Sequence, residues 1–434
     1  MNHRQLIFLF LLGSAAVTAL SAGESLPAAA RPRVIVSTDI GGTDPDDFQS
    51  MAHFLVYADA FEVEGLISSP YGPGRKQHIL EVLDAYARDY PNLKTHSARY
   101  PTPEALRAVT KQGAIDSAGD AGFAEPSEGS DLIVRAARRA DPRPLWVLVW
   151  GGIDDLAQAL HDAPDIRPKL RVYFIGGPNK KWSANAYNYI ERNHPNLWII
   201  EANATYAGWF TGGNQTGEWG NTAFVTAHVA GRGALGRYFA QFRNGELKMG
   251  DTPSVMYVLG ANPENPALPN WGGSFVRAWE RPRVVFNRLT TAADRVEQYA
   301  IVDIVLPPDQ GVTAAQGAEL LIENQILPGF IDPTGALRFR ISPKSAKGWT
   351  YTLRSAVPGL NGKTGAFTSF LTPPDAVQRP WSRTPNWWTD NPAPELQEGD
   401  QQGAKTVNRW RENFLRDFAA RMLRAESPAP VSKP

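Results

Sequence analysis

The strongest constraint on this chain is a rhythm in its first three hundred residues. Short runs at 34–36, 63–68, 145–150, 170–175 and 197–201 are apolar at almost every position, and most end in glycine or a carboxylate. Helical patterns lie between several of them. Phe48, Met51, Ala52, Leu55 and Val56 form a buried helical stripe beginning near Pro45, and further helices are expected near 75–90 and over 153–160. A strand with one wet face alternates polar and apolar residues, whereas a strand covered on both faces does not. The expected fold class over 32–283 is therefore α/β: an open, mostly parallel sheet with helices on both faces.

Beyond that region the texture changes. Runs at 296–306, 337–341 and 349–353 are β-like and separated by Pro/Gly loops, so 284–372 is expected to be a smaller β-rich, Ig-like module. Residues 373–425 read as a proline-rich aromatic connector (373–394) and an amphipathic helix (405–423). The apolar face of that helix, with Val407, Trp410, Phe414, Phe418 and Met422, must dock on the main domain. Residues 426–434 read as a disordered tail. At the other end, 1–30 carry His3 and Arg4, an apolar run at 6–20, and the small residues Ser21, Ala22 and Gly23. This is the grammar of a cleaved export signal. The expected location is periplasmic or extracellular, with no membrane attachment after cleavage.

Composition narrows the chemistry. The sequence has no cysteine, which excludes disulfides, thiolate nucleophiles and thiolate-held zinc or iron–sulfur centres. Any metal must be held by oxygen or imidazole, and no HExxH occurs. Basic and acidic residues balance at 44 each, so the chain as a whole lacks the basic footprint of a nucleic-acid binder. The 38 glycines and 35 prolines predict long, turn-rich loops, where functional side chains tend to sit.

The carboxylates gather at strand ends. In STDIGGTDPDDFQSM, residues 37–51, Asp39 ends the first strand, Gly41 and Gly42 allow a tight loop, and Asp46 and Asp47 open a helix. Ligands of open parallel sheets bind at the carboxyl ends of the strands. So many like charges in one crevice raise one another's pKa unless a cation neutralises them. Ca²⁺, with its preference for several oxygen ligands, is the expected cofactor. Helix capping, with Asp44 as N-cap and Pro45 first in the helix, accounts for Asp44 but not for Asp39. Asp154, after Gly151 and Gly152, reads equally as an N-cap or an oxygen donor to the cation. Asp251 opens a further helix. Asn179, after Gly176 and Gly177, is a candidate hydroxyl-binding amide. An aspartyl-phosphate mechanism would need an aspartate where Ser37 stands, and neither GxGxxG, a P-loop lysine nor a GxSxG elbow is found.

These residues resemble the inosine-uridine nucleoside hydrolases: an aspartate-rich loop after the first strand, GGIDDLA after a middle strand, and a late aspartate at a helix start. Over about 32–425 the chain looks more closely like the bacterial nucleoside-hydrolase-like family of cellulose-binding proteins, through SSPYGPGR, VLVWGGIDDLAQAL, NWWTD and GAKTVNRW. The resemblance implies Asp39 as first metal ligand and base, Asp47 as chelating ligand and Asp46 as a catalytic carboxylate contacting a sugar hydroxyl. It further implies Asp154 as donor of a main-chain carbonyl and Asp251 as late ligand. The chain departs from the family's DxDPGxDD loop: Ser37 replaces the first aspartate, and three extra residues precede Asp46. Gly250 stands where many relatives carry a leaving-group histidine. The implied activity is thus a Ca²⁺-dependent glycosyl hydrolase working on a sugar other than a nucleoside's, with a non-catalytic carbohydrate-binding protein as the alternative.

Aromatic loops fit a carbohydrate or glycoside partner, because ring faces pack on sugar C–H faces. Tyr71, Trp182, Trp209 and Trp219 are candidate contacts, with Asn188 beside them, and the stretch 206–219 reads as a lid. Lys180 and Lys181 are second-rank pocket candidates or a solvated pair, and self-association of the chain is left open.

Overall fold

The computed structural model describes residues 31–70, 72–308 and 317–429. The signal-like segment 1–30, Tyr71 and the final five positions of the tail lie outside the described residues. The main sheet has eight strands. Seven of them are β1 (Arg33–Thr38), β2 (Glu62–Ser68), β3 (Thr110–Gln112), β4 (Leu145–Val149), β5 (Leu170–Ile175), β6 (Ile199–Ala202) and β7 (Phe275–Arg277). The eighth, Trp387–Asp390, lies between β6 and β7, so the order is β3-β2-β1-β4-β5-β6, then that strand, then β7. Only β7 runs antiparallel.

Alternate residues of the apolar strands feed two separate cores. From β1, Val34 and Val36 face one core and Ile35 the other; from β4, Trp146 and Leu148 face the first and Val147 and Val149 the second. Helices α1 (Asp46–Val56) and α2 (Lys76–His96) cover the first face, while α3 (Pro103–Ala108) lies against β2 at its edge. Helices α4 (Glu128–Arg138), α5 (Asp154–Asp162) and α6 (Ala184–Asn193) cover the second. Chain order reverses between β1 and β4, which makes their carboxyl ends the topological switch point where such sheets bind ligands.

The β-rich region forms two further sheets, of four and five strands. Val302, Ile304 and Phe339 of one share a core with Leu320, Tyr351 and Leu353 of the other. The 373–394 segment, expected as a connector, instead supplies a main-sheet strand: Trp387, Trp388 and Thr389 pair in parallel with Ile199, Ile200 and Glu201. With Trp387 buried in the second core, this stretch is an interior strand that returns after the β-rich excursion. Proline punctuation hid it. The C-terminal helical segment breaks into Lys405–Asn408 and Arg411–Glu426, and Val407, Phe414, Phe418 and Met422 pack into the first core. Among the described residues no helix is long and apolar enough to cross a membrane.

Arg411 ties this helix to the loop after β6. Its guanidinium is buried and donates to the Trp209 carbonyl at 3.0 Å, the Trp219 carbonyl at 2.7 Å and Asn221 Oδ1 at 2.7 Å. With no carboxylate in that set, burial lowers its pKa to about 10. Arg411→Met is expected to strip these acceptors and destabilise the fold by about 3 kcal/mol, read as a lower midpoint in urea unfolding.

Candidate functional site

Past the end of β1 the chain turns sharply: the Gly42 N–H donates to the Asp39 carbonyl at 2.9 Å. Gly41 has φ +88°, and a Cβ there would lie 2.2 Å from His78 Nδ1, so only glycine fits. Asp44 does not cap α1. The N-cap is Pro45, without a side-chain bond, and Asp44 instead pairs with Lys248. The three-residue insertion thus leaves Asp39 at the strand end and still starts the helix at Asp46.

Asp39, Asp44, Asp46, Asp47, Asn179, Trp182, Tyr206, Lys248 and Asp251 line one pocket at the switch point. Asp39, Asp46, Asp47 and Asp251 are all buried. Asp39 and Asp47 are hydrogen-bonded to each other, and Thr38 Oγ1 donates to Asp47 Oδ1 at 2.5 Å. The Asp251 N–H donates to Ser50 Oγ at 3.2 Å, which fixes the start of the Thr252–Val258 helix against α1. Asp46 accepts the Gly250 N–H at 2.7 Å and Lys248 Nζ at 3.2 Å. At the end of β4 a Cβ on Gly151 would lie 2.4 Å from the Asp39 carboxyl carbon, so glycine makes the room for that carboxylate.

The electrostatics follow from burial. Burial, aided by the charge of Asp46, pushes Asp39 up to about 7, against the pull of its bond to Asp47. Burial and then the neighbouring carboxylates push Asp47 and Asp251 well above the usual range. Burial also raises Asp46, opposed by Lys248. Asp44 is the exception: burial is outweighed by Lys248 and Arg243, which hold it below its ordinary value.

As the side chains lie, Asp39 and Asp47 turn onto each other, and among the described residues no three acidic or histidine side chains surround one point. The donor chemistry nevertheless fits a hard divalent cation: every donor is oxygen, and Asp251 Oδ2 is buried without a hydrogen-bond partner. The enclosed space is about 100 Å³, room for about three waters at roughly 30 Å³ each. An ion and its waters fit there. Asn179, Trp182 and Tyr206 line the remainder of the pocket. A wider groove of about 640 Å³ lies at the opposite, amino-terminal end of β2, beside Glu62, Glu64 and Arg139. Its charges are already matched, as in the 2.6 Å pair between Arg139 and Glu62.

Other expected contacts are placed elsewhere. Asp154 is the first residue of α5 rather than its cap; its Oδ1 accepts the Ala118 N–H at 2.7 Å and its side chain does not line the pocket, which leaves only its main-chain carbonyl, the donor the resemblance implies, for a cation. Trp209 is fully buried and stacked 3.7 Å from Phe414, so it is core. Trp219 lies under the Arg416 guanidinium, 4.5 Å away, also off the pocket. Arg411 grips both of their carbonyls, so the 206–219 stretch is pinned where a lid was expected. Asn188 is half-buried on α6 and does not line the pocket. Lys180 and Lys181 are buried, not a solvated pair. Lys180 donates to Glu201 Oε1 at 2.6 Å, and Glu201 also accepts the Tyr187 hydroxyl at 2.7 Å.

Three contributors escaped sequence reasoning. Lys248 had no motif to flag it beyond lying three residues before Asp251, and Tyr206 was read only as the start of a lid. Asp390 sat in the supposed connector. Its carboxylate accepts the N–H groups of Asn203, Ala204 and Thr205 at 3.0, 2.9 and 3.1 Å, shaping the turn that carries Tyr206 to the pocket.

Residues 33–275 match the family described as "Cellulose-binding Sde182, nucleoside hydrolase-like domain". Among solved structures the chain is similar to a nucleoside hydrolase-related hypothetical protein from Saccharophagus degradans that is associated with carbohydrate metabolism. That likeness has 21% identity and a TM-score of 0.50, over 79% of this chain and 100% of that one. It is also similar to a purine-preferring ribonucleoside hydrolase from Gardnerella vaginalis, at 14% identity and a TM-score of 0.36, over 57% and 83% of the two chains. An inosine-uridine preferring nucleoside hydrolase from Bacillus anthracis gives 11% and 0.35, over 82% and 99%. No curated protein matches the chain. At these identities the structural likeness is one of fold.

The raised carboxyl pKa values give a signed pH effect. Folded Asp39 holds its proton up to about pH 7, and Asp47 and Asp251 are raised in the same direction, whereas an unfolded aspartate releases its proton near about 4. The cluster's stabilising contribution is therefore full below about pH 4 and is lost as pH rises through about 7. In chelator, Asp47→Asn is expected to raise the thermal midpoint at about pH 8 and to have little effect near pH 4. Millimolar calcium is expected to reverse the order at about pH 8, because the variant lacks a charged ligand. Scanning calorimetry of both proteins checks this.

Proposed function

Since the chain belongs to the cellulose-binding, nucleoside hydrolase-like family, we propose that it is an exported Ca²⁺-dependent hydrolase of N- or O-glycosyl bonds. Its substrates on this reading are glycosides derived from plant or microbial polysaccharides rather than nucleosides. The observation that carries the proposal is the convergence of Asp39, Asp47 and Asp251, buried side by side at the sheet's switch point. Export rests on the signal-like grammar of 1–30.

Asp39, Asp47 and Asp251 are the residues that would hold the ion. Bound there, calcium would neutralise the carboxylates and acidify a water for attack on an anomeric carbon. Asp39, buried at the end of β1 beside Asp47, would take the proton from that water. Asp46 is held at the mouth by Gly250 and Lys248, and its oxygens keep lone pairs for a sugar hydroxyl. Trp182 and Tyr206, which line the same pocket, would flank the ring. No side chain is required as a covalent nucleophile, so the expected course is single displacement with inversion.

A second reading, a carbohydrate-binding protein without turnover, is favoured by Lys248. The lysine already occupies Asp44 and Asp46, and Gly250 offers no side chain to protonate a leaving group. A panel of aryl furanosides, aryl pyranosides and cell-wall oligosaccharides separates the two. The hydrolase reading expects turnover that falls by at least about a thousandfold in Asp47→Ala and in excess chelator. Turnover indifferent to both would remove the ion from the chemistry. Retention on polysaccharide with no product by mass spectrometry would establish the binding protein.

A further inference from the structure

Hydrolysis of a glycosyl bond is helped by a proton on the leaving atom, and none of the aspartate roles above supplies one. Most polar side chains that line the carboxylate pocket are already committed. Lys248 gives its ammonium to Asp44 and Asp46, Asp46 also accepts the Gly250 N–H at 2.7 Å, and the Asn179 amide donates to the Ile175 carbonyl at 3.1 Å. Tyr206 is different. It lines the same pocket, and among the described residues its hydroxyl has no hydrogen-bond partner. The phenols of Tyr173, Tyr187 and Tyr299, by contrast, donate to the Gly272 carbonyl, Glu201 and Gln401 at 2.8, 2.7 and 2.8 Å.

Two glycines place the ring. A Cβ on Gly177, in the turn Gly177–Lys181 after β5, would lie 3.4 Å from Tyr206 Cε1, and one on Gly250 would lie 3.6 Å from Cε2. Both of those carbons adjoin the one that bears the hydroxyl. The phenolic end therefore lies between Gly177 and Gly250. A Cβ on Gly250 would also lie 2.7 Å from Asp46 Oδ2, so ring and carboxylate share this corner of the pocket. The backbone of Tyr206 is held on both sides. Asp390 binds the three preceding N–H groups, and Arg411 binds the Trp209 carbonyl just after. Rigid presentation of an unpartnered hydroxyl is what proton donation to a fixed atom requires. Burial keeps the phenol protonated well above its ordinary range, while the Lys248 charge acts in the opposite sense and would stabilise a phenolate.

We propose that Tyr206 is the general acid of this pocket, giving its phenolic proton to the leaving oxygen or nitrogen of the glycoside. The assignment rests on the hydrolase reading above. The bond from the anomeric carbon to the leaving atom breaks, and its electron pair stays on that atom, which takes the Tyr206 proton. The attacking water forms the new carbon–oxygen bond and loses one proton to Asp39. Solvent water returns that proton to the phenolate, so the cycle closes with no other reactant. Gly250 then makes room for Asp46, and the acid comes from the turn after β6.

The test is the kinetics of the full-length mature protein in millimolar calcium on paired aryl glycosides, dinitrophenyl and phenyl, of each sugar in the panel above. Dinitrophenolate leaves without a proton, whereas phenolate leaves slowly unless it receives one. Tyr206→Phe should lose at least about a hundredfold in kcat/KM on the phenyl glycoside and less than about threefold on the dinitrophenyl one. A merely structural role would lower both together. In the wild type the two substrates should differ by less than about tenfold, a comparison that keeps the test open if Tyr206→Phe fails to fold. Equal losses on both substrates, no loss on either, or a wild-type preference for the dinitrophenyl glycoside above about tenfold would each overturn the assignment and leave the hydrolase reading standing. No turnover of any substrate by the wild type would remove both.

Discussion

Four aspartates buried in one crevice cannot all be ionised on their own. Each carboxylate loses its hydration on burial and then meets the field of the others, and both effects favour the protonated form. The molecule answers in two ways. Asp39 and Asp47 close on each other through a hydrogen bond, and Asp46 is drawn toward Lys248 and the Gly250 amide. Asp251 keeps one buried oxygen without a partner. On the proposed reading, a hard cation would substitute for the protons in this arrangement. The proposed chemistry, the pH dependence of stability and the need for glycine at position 151 all descend from this crowding.

The crowding is held by more than the segment that defines the family. Residues 33–275 supply the aspartates, but the loop presenting Tyr206 is shaped by Asp390, from a strand that enters the main sheet after the β-rich unit. The far side of the same loop is gripped by Arg411 of the C-terminal helix. On the opposite wall the β-rich unit buttresses the turn that carries Asn179 through Ser342 and the packing of Trp182. The β-rich region and the C-terminal segment are in this sense parts of the pocket's frame.

Legibility in the sequence tracked how local each cause was. The apolar runs were readable because burial on both faces of a strand is written into consecutive residues, and Val34, Ile35 and Val36 behave that way. The strand at 387–390 was not readable, because two tryptophans between prolines satisfy a strand and a packed loop equally well. Asp44 read as a helix cap on local grammar, and Lys248, some two hundred residues away, claimed it. Trp209 and Trp219 looked like sugar platforms because an aromatic residue in a glycine-rich loop is open to either use. Contacts with Phe414 and Arg416 on a distant helix decided for packing.

What the sequence determined by itself was the layered α/β architecture and the aspartate-bearing loop at the end of the first strand. Both follow from neighbouring residues: strand burial from apolar continuity, the loop from Gly41, Gly42 and Pro45. What only the tertiary structure decided was which charges face one another. It brought Asp251 and Lys248 to the β1 end and sent Asp154 toward Ala118. Coulombic and desolvation energies depend on distance and burial, and neither is a property of position along the chain.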